Sequence, residues 1–324
     1  MCDAETLSSA GEAGALRRIF PRLPESRATL LGPGDDAAVL AASDGRFVVT
    51  TDMMIHGPDF RLAWSSPYDL GWKAAATNLS DVAAMGATPT ALVVALALPS
   101  DTPVTALEEI ADGLRDACEA LAPGCGVVGG DLSVSPTMTF AVTAFGDLEG
   151  RPLVTRSGAR PGDVVAVSGA LGAAAAGLRL LFSEGVDEAG EPDAARASAV
   201  ADRTLAQRRP SPPIADGALA AAAGATAMLD LSDGLARDAA RVAQASGVSI
   251  DFDSATLGED VALALAGGED HSLFATFPPG APLPGGFRRV GTVVEPAGSE
   301  VLLDGAPHDV EGWDPYEGWA GGLG

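Results

Sequence analysis

The sequence predicts a two-domain protein of mixed helix and strand, on three observations. Its 324 residues exceed the usual span of one domain. Strand-like and helix-like runs alternate along the whole chain. A stretch rich in arginine, proline and glycine, residues 150 to 162, separates two such series and places the domains at 1–150 and 151–324.

In the first series ATLL (28–31) and RFVVTTDMMI (46–55) read as strands on either side of the turn-forming GPGDDAAVL. Ser66 can cap a helix whose first position is Pro67 and which stops at Gly86. ALVVALALP (91–99) reads as a strand buried on both faces, and Thr102-Pro103 opens a helix ending near Pro123. VVGGD (127–131) reads as a short strand ending in a loop, and TMTFAVTAF (137–145) alternates as a sheet strand should. This half is predicted to be α+β with a mixed or antiparallel sheet. In the second series DVVAVSG (163–169) is a strand feeding an alanine-rich helix, and 184–197 is an acidic loop expected to be mobile. Ser211-Pro212 starts another helix, and TAMLDLSDG (226–234) is a strand running into a helix. VSIDFD, HSLFATF, RRVGTVV and EVLLDG supply further strands.

Composition narrows the function. Hydrophobic residues make up 47% but aromatics only 5%, so the core is expected to be Ala, Val and Leu in close helix-on-sheet packing. A balance of 44 acidic against 20 basic residues, a formal charge of -24, repels nucleic acid and anionic membrane. Lys73 is the only lysine, which excludes the commonest P-loop, ending in Gly-Lys-Ser/Thr. Cys2, Cys118 and Cys125 show no Cys-x-x-Cys spacing, so neither a zinc site nor a disulfide framework is expected. The polar start MCDAETLSSA and the lack of a membrane-length apolar run make the cytoplasm the expected compartment.

Aspartates recur at strand ends and in glycine-bearing turns: Asp35, Asp36, Asp52, Asp81, Asp131, Asp230 and Asp233. Each alone could cap a helix or close a turn. Jointly they supply hard oxygen ligands of the kind magnesium takes alongside phosphate oxygens, and bound cations reconcile an acidic site with an anionic nucleotide. Phosphoryl transfer and metal-assisted phosphate hydrolysis both fit, and residue types do not separate them.

The segments GDDAAVL, TTDM, NLSDVAAMGA, GGD, TRSGARPGD, LDLSDGL and GGED follow one another between residues 34 and 270. In wording and order the chain closely resembles the thiamine-monophosphate kinase family, part of a superfamily shared with aminoimidazole ribonucleotide synthetase, selenophosphate synthetase and a hydrogenase-maturation protein. The resemblance implies an N-terminal domain that dimerises through its sheet, a C-terminal α/β domain, and ATP bound near the interface of a homodimer. It implies direct in-line transfer from ATP to the phosphate of thiamine monophosphate, assisted by several Mg2+ ions. Carried over by motif, Asp36, Asp52 and Asp81 hold magnesium, with Thr50 and Thr51 adding oxygen ligands. Asp131, after Gly130, meets ATP and a metal, and the bare Gly129 and Gly130 let the backbone approach phosphate. Asp230 and Asp233 bind further magnesium, while Ser232 and Arg156 contact ATP. Glu269 and Trp319 face the thiamine moiety.

Two positions depart from the family pattern. Asp59 in GPDF stands where the family often has histidine, and as an acid it could face the cationic thiazolium. His271 replaces a frequent tyrosine and reads as a mere neighbour in the strand. Lys73, eight residues before Asp81 and about two helical turns away, reads as structural support for the acidic cluster. No general base is assigned, because an acceptor phosphate is already ionised near neutral pH. Cys2 lacks the glycine-rich setting of selenophosphate synthetase, and the terminus GWAGGLG lacks the cysteine of the hydrogenase-maturation protein.

Overall fold

The computed structural model describes residues 5–31, 38–310 and 312. Helix α1 (Leu7–Ile19) opens this part, with Thr6 and Ser9 bonding reciprocally across its first turn. Its run of Ala, Gly and Ser carries little periodic signal, and the sequence reading assigns no helix there. Strands β1 (Thr29–Leu31) and β2 (Val39–Leu40) form a small antiparallel ribbon. A four-stranded sheet then takes β3 (Val48–Ile55), β4 (Thr88–Leu98), β5 (Gly126–Val134) and β6 (Thr139–Asp147) in the order β3-β6-β4-β5. Only β4 and β5 run parallel.

Helices α2 (Pro67–Ala84) and α3 (Val104–Leu121) accompany this sheet. Ser66 and Asp69 form a capping box around Pro67, so α2 starts where the sequence predicts. The two helices cross closely because glycine faces backbone on both sides. A Cβ on Gly71 would sit 2.1 Å from the Ile110 carbonyl oxygen, and one on Gly113 would sit 2.1 Å from that of Tyr68.

β5 differs from expectation. The strand does not end at Asp131 but continues to Val134, with Asp131 paired opposite Ala95 of β4. Parallel pairing with a long central strand supplies backbone partners past the glycines, outweighing their poor strand propensity.

The second half contains β7 (Val164–Ser168), α4 (Ala173–Glu184), α5 (Ala194–Ala199), α6 (Leu205–Arg208), α7 (Ile214–Ala222), β8 (Ala227–Leu231), α8 (Leu235–Ser246), β9 (Ser249–Phe252), α9 (Val261–Ala266), β10 (Ser272–Phe277), β11 (Arg288–Val294), β12 (Val301–Leu303) and β13 (Ala306–Pro307). Its seven-stranded sheet has the order β13-β12-β9-β11-β7-β10-β8, parallel only between β12 and β9. Within the acidic 184–197 segment, Asp187 accepts the amides of Ala189 and Glu191, and Asp193 caps α5.

α2 joins the halves, packing on β3, β6 and α3 on one side and on α7, β8 and β10 on the other. One apolar core accordingly runs from Phe140 through Leu79 and Val82 to Met228 and Phe277. A second, with Leu229, Leu235, Ile250 and Phe274, fills the space between the larger sheet and α8. Both are dominated by Ala, Val and Leu, as the composition predicts. Among the described residues no helix is long and apolar enough to cross a membrane.

Candidate active site

The site forms where α2 meets the ends of β3 and β8. Alternation along β3 turns Thr50 and Asp52 toward the face covered by α2, since their partners Ala144 and Val142 are buried. Thr50 Oγ1 donates to Asp81 Oδ2 of α2 at 2.8 Å. One residue earlier on α2, Ser80 Oγ donates to Asp230 Oδ2 of β8 at 3.1 Å, and His271 Nδ1 lies 3.2 Å from the same oxygen. His271 is thus tied to Asp230 and is more than the strand neighbour expected from sequence.

The acids perturb one another. Burial pushes the Asp81 carboxyl up to about 7, reinforced by the charges of Asp230 and Asp52. Asp52, although exposed on β3, is also raised, by partial desolvation among the neighbouring side chains and by the charges of Asp230, Asp59 and Asp233, against the opposing influence of His271. For His271, burial works against the charged form, but its bond to Asp230 outweighs this and lifts its pKa. A protein that holds three carboxylates this way stores repulsion that bound cations relieve.

Asp233 follows β8 in the loop that leads into α8. Arg241 Nη2 contacts Asp233 Oδ2 at 2.5 Å and also pairs with buried Asp238. Asp238 in turn accepts the amides of Asp233 and Gly234, fixing the loop that also carries Ser232. This support by Arg241 and Asp238 escaped the sequence reading, although an acid at the start of a helix four residues after a glycine is a loop-capping signal.

About two turns earlier on α2 than Asp81, Lys73 Nζ donates to Glu269 Oε1 at 2.7 Å, and Gln207 Nε2 lies 3.3 Å from Oε2. Burial opposes the Glu269 charge, but the Lys73 ammonium more than compensates and holds the carboxyl below its usual range. Lys73 therefore serves Glu269 rather than the Asp81 cluster for which its spacing suggested it. Asp59 Oδ2 accepts the Ile55 amide at 2.6 Å, closing the turn after β3, and burial, with the Glu269 charge, raises its pKa.

A cavity of about 680 Å³ opens beside the cluster. Thr50, Asp81 and Asp230 line it together with apolar Phe47, Leu148 and Met228, and Arg156 contributes a cation. Sequence reasoning singled out Thr50, Asp81, Arg156 and Asp230 but neither Arg46 nor Phe47, which also line it just before β3. Three predicted positions fall elsewhere in the chain. Thr51 faces the opposite side of the sheet, where Thr143 bonds to it. Gly130 and Asp131 are exposed on β5, the edge strand farthest from β3. Asp36 and Trp319 lie outside the described residues.

The donors suit magnesium in kind, being hydroxyl and carboxylate oxygens. Among the described residues no three His, Cys, Asp or Glu side chains converge tightly enough to hold a metal ion alone. Magnesium is commonly held by one or two carboxylates with water and substrate phosphate completing its shell, so the set fits an ion that arrives with nucleotide.

The fold and this site define a two-domain AIR synthase related protein. The N-terminal domain model of that family matches residues 34–148 and its C-terminal domain model residues 160–281. The thiamine-monophosphate kinase of Mycobacterium tuberculosis is 42% identical over 334 aligned positions, covering 98% of this chain and 93% of its own length. Among solved structures, the thiamine-monophosphate kinase of Stenotrophomonas maltophilia has a TM-score of 0.74 and 32% identity, covering 91% of this chain and 97% of its own. AaThiL complexed with AMPPCP and TMP has a TM-score of 0.72 and 33% identity, covering 96% and 99%. The chain belongs to the thiamine-monophosphate kinase family.

Proposed function

We propose that this protein transfers the γ-phosphoryl group of ATP to the phosphate of thiamine monophosphate, giving thiamine diphosphate and ADP. The observation that carries the reading is the cluster of Thr50, Asp81 and Asp230, built by both halves of the chain at the wall of a cavity that also contains apolar side chains and Arg156. Acidic groups suit metal-bound phosphates, Arg156 suits a phosphate oxygen, and the apolar surface suits a nucleobase.

Magnesium ions held by Asp52, Asp81 and Asp230 with Thr50, and by Asp36, Asp131 and Asp233 if the motif roles carry over, would neutralise phosphate charge. The chain's own task is alignment. Ser80 and His271 fix the Asp230 carboxylate, Thr50 fixes that of Asp81, and Arg241 with Asp238 fixes the Ser232–Asp233 loop. An ionised acceptor oxygen forms the new bond to the γ-phosphorus as the bond to the ADP oxygen breaks. No proton has to be removed, so no general base is required.

Glu269 and Asp59 would face the thiazolium, with Trp319 covering it. Residues 1–150 would supply metal and dimer contacts and 151–324 complete the nucleotide and substrate site. The assembly would be a cytoplasmic homodimer with ATP near its interface.

A coupled assay with ATP tests the reading. ADP formation should require both thiamine monophosphate and a divalent ion, with free thiamine a poor acceptor. Phosphate release from ATP alone at a comparable rate would identify a phosphatase instead, and full activity in excess EDTA would reject metal assistance.

A further inference from the structure

Lys73 is 4% exposed within α2, and a buried ammonium is tolerated only with a close counter-charge. Its partner Glu269 belongs to the other half of the chain and keeps 30% of its side chain open. The turn carrying Glu269 leaves that side chain little choice of origin. Glu269 and His271 both hold left-handed backbone angles, φ 67° and 52°, and a Cβ on Gly268 would approach the Ser232 carbonyl oxygen to 2.5 Å. The Glu269 amide donates to that same carbonyl at 2.8 Å. The backbone is thus fixed against the nucleotide loop, and what remains free is the direction of the carboxylate, which Lys73 sets through a short bond to Oε1, with Gln207 adding a longer one to Oε2. Asp59 lies within electrostatic reach of both, its charge disfavoured by Glu269 and favoured by Lys73.

We infer that Lys73 is a positioning residue for acceptor recognition: reaching from α2 to the turn after α9, it holds the Glu269 carboxylate in the direction that meets the cationic part of the acceptor. This rests on the reading of Glu269 as a contact to the cationic part of the acceptor. Loss of Lys73 leaves the carboxylate with only the longer Gln207 bond and free to turn toward solvent, and acceptor affinity falls while the cavity lined by Arg156 is untouched. A lysine that merely stabilised the fold would affect both substrates alike.

The test compares Lys73→Met, Glu269→Gln and the double variant in steady-state kinetics with thiamine monophosphate and ATP, alongside thermal melts. Lys73→Met is expected to raise KM for thiamine monophosphate about tenfold, with KM for ATP within twofold of the parent. The double variant is expected to match Glu269→Gln, because a residue acting through another adds nothing once the other is gone. An unchanged acceptor KM in Glu269→Gln would overturn the Glu269 assignment and the inference with it. Impairment in Glu269→Gln but not in Lys73→Met would overturn the inference alone. If Lys73→Met does not fold, the double variant still decides: an acceptor KM several-fold above that of Glu269→Gln contradicts positioning.

Discussion

A carboxyl pushed up to about 7, such as Asp81, is a poor choice for stability and a good one for metal binding. Its unfolded value is about 3.9, so its charged form is disfavoured by the fold. The stability consequence has a definite sign: the protonated side chain costs nothing below about pH 4, and stability is lost progressively as pH rises from there through 7. Asp81→Asn should therefore raise the melting temperature of the metal-free protein, and by more at pH 8 than at pH 5. Melts in EDTA at the two pH values check this, and equal shifts would mean that Asp81 is not under electrostatic stress. The same substitution should lower turnover at least about tenfold, roughly 1.4 kcal/mol of barrier, as should Asp233→Asn. Near-normal turnover in Asp233→Asn would show that Arg241 holds this acid for structural reasons only.

Helix α2 carries Lys73, Ser80 and Asp81 and touches both sheets, so its placement sets the site. That placement depends on Gly71 and Gly113, where each helix meets the other's backbone with no room for a methyl group. Gly71→Ala forces the helices apart, at a cost of about 1–3 kcal/mol typical of overpacking. The melting temperature should fall by several degrees, and turnover should fall with it because Asp81 moves with the helix. Unchanged melting would mean that the crossing can relax without loss.

At the scale of the molecule, the four-stranded sheet turns Val49, 60% exposed, and Met53, 59% exposed, away from α2 on a face that no described helix covers. Both edges, β3 and β5, lack a partner among the described residues. Light scattering should report about twice the 32.4 kDa chain mass. Asp131 lies on the edge strand farthest from Asp52, so a role for it in the acidic cluster would call for the cluster of a second copy rather than its own. If Asp131→Asn and Asp233→Asn each lower turnover at least about tenfold, mixing the two chains should restore about a quarter of the parental activity, since only half of randomly formed pairs are mixed and each has one intact site. No recovery after demonstrated subunit exchange would place both acids in one chain's site.

Composition, caps and motif order were legible without a structure. Ser66-Pro67 marks the start of α2, the scarcity of aromatics foretells a core of Ala, Val and Leu, and the ordered aspartate segments identify the family. These are local properties: a cap is satisfied within one turn, and a motif is read residue by residue. Partnerships across long sequence separations were decided by tertiary structure. Lys73 meets Glu269, Asp81 meets Thr50, and Asp230 meets Ser80 and His271. Helical spacing tells which residues share a face of α2 but not what that face meets. The same limit explains Asp131, whose strand continues because β4 lies beside it, and Asp81 of α2, whose proton is held by burial and by acids from β8 and β3. Burial and charge act through space, and only the packing of α2 between two sheets brings those charges together.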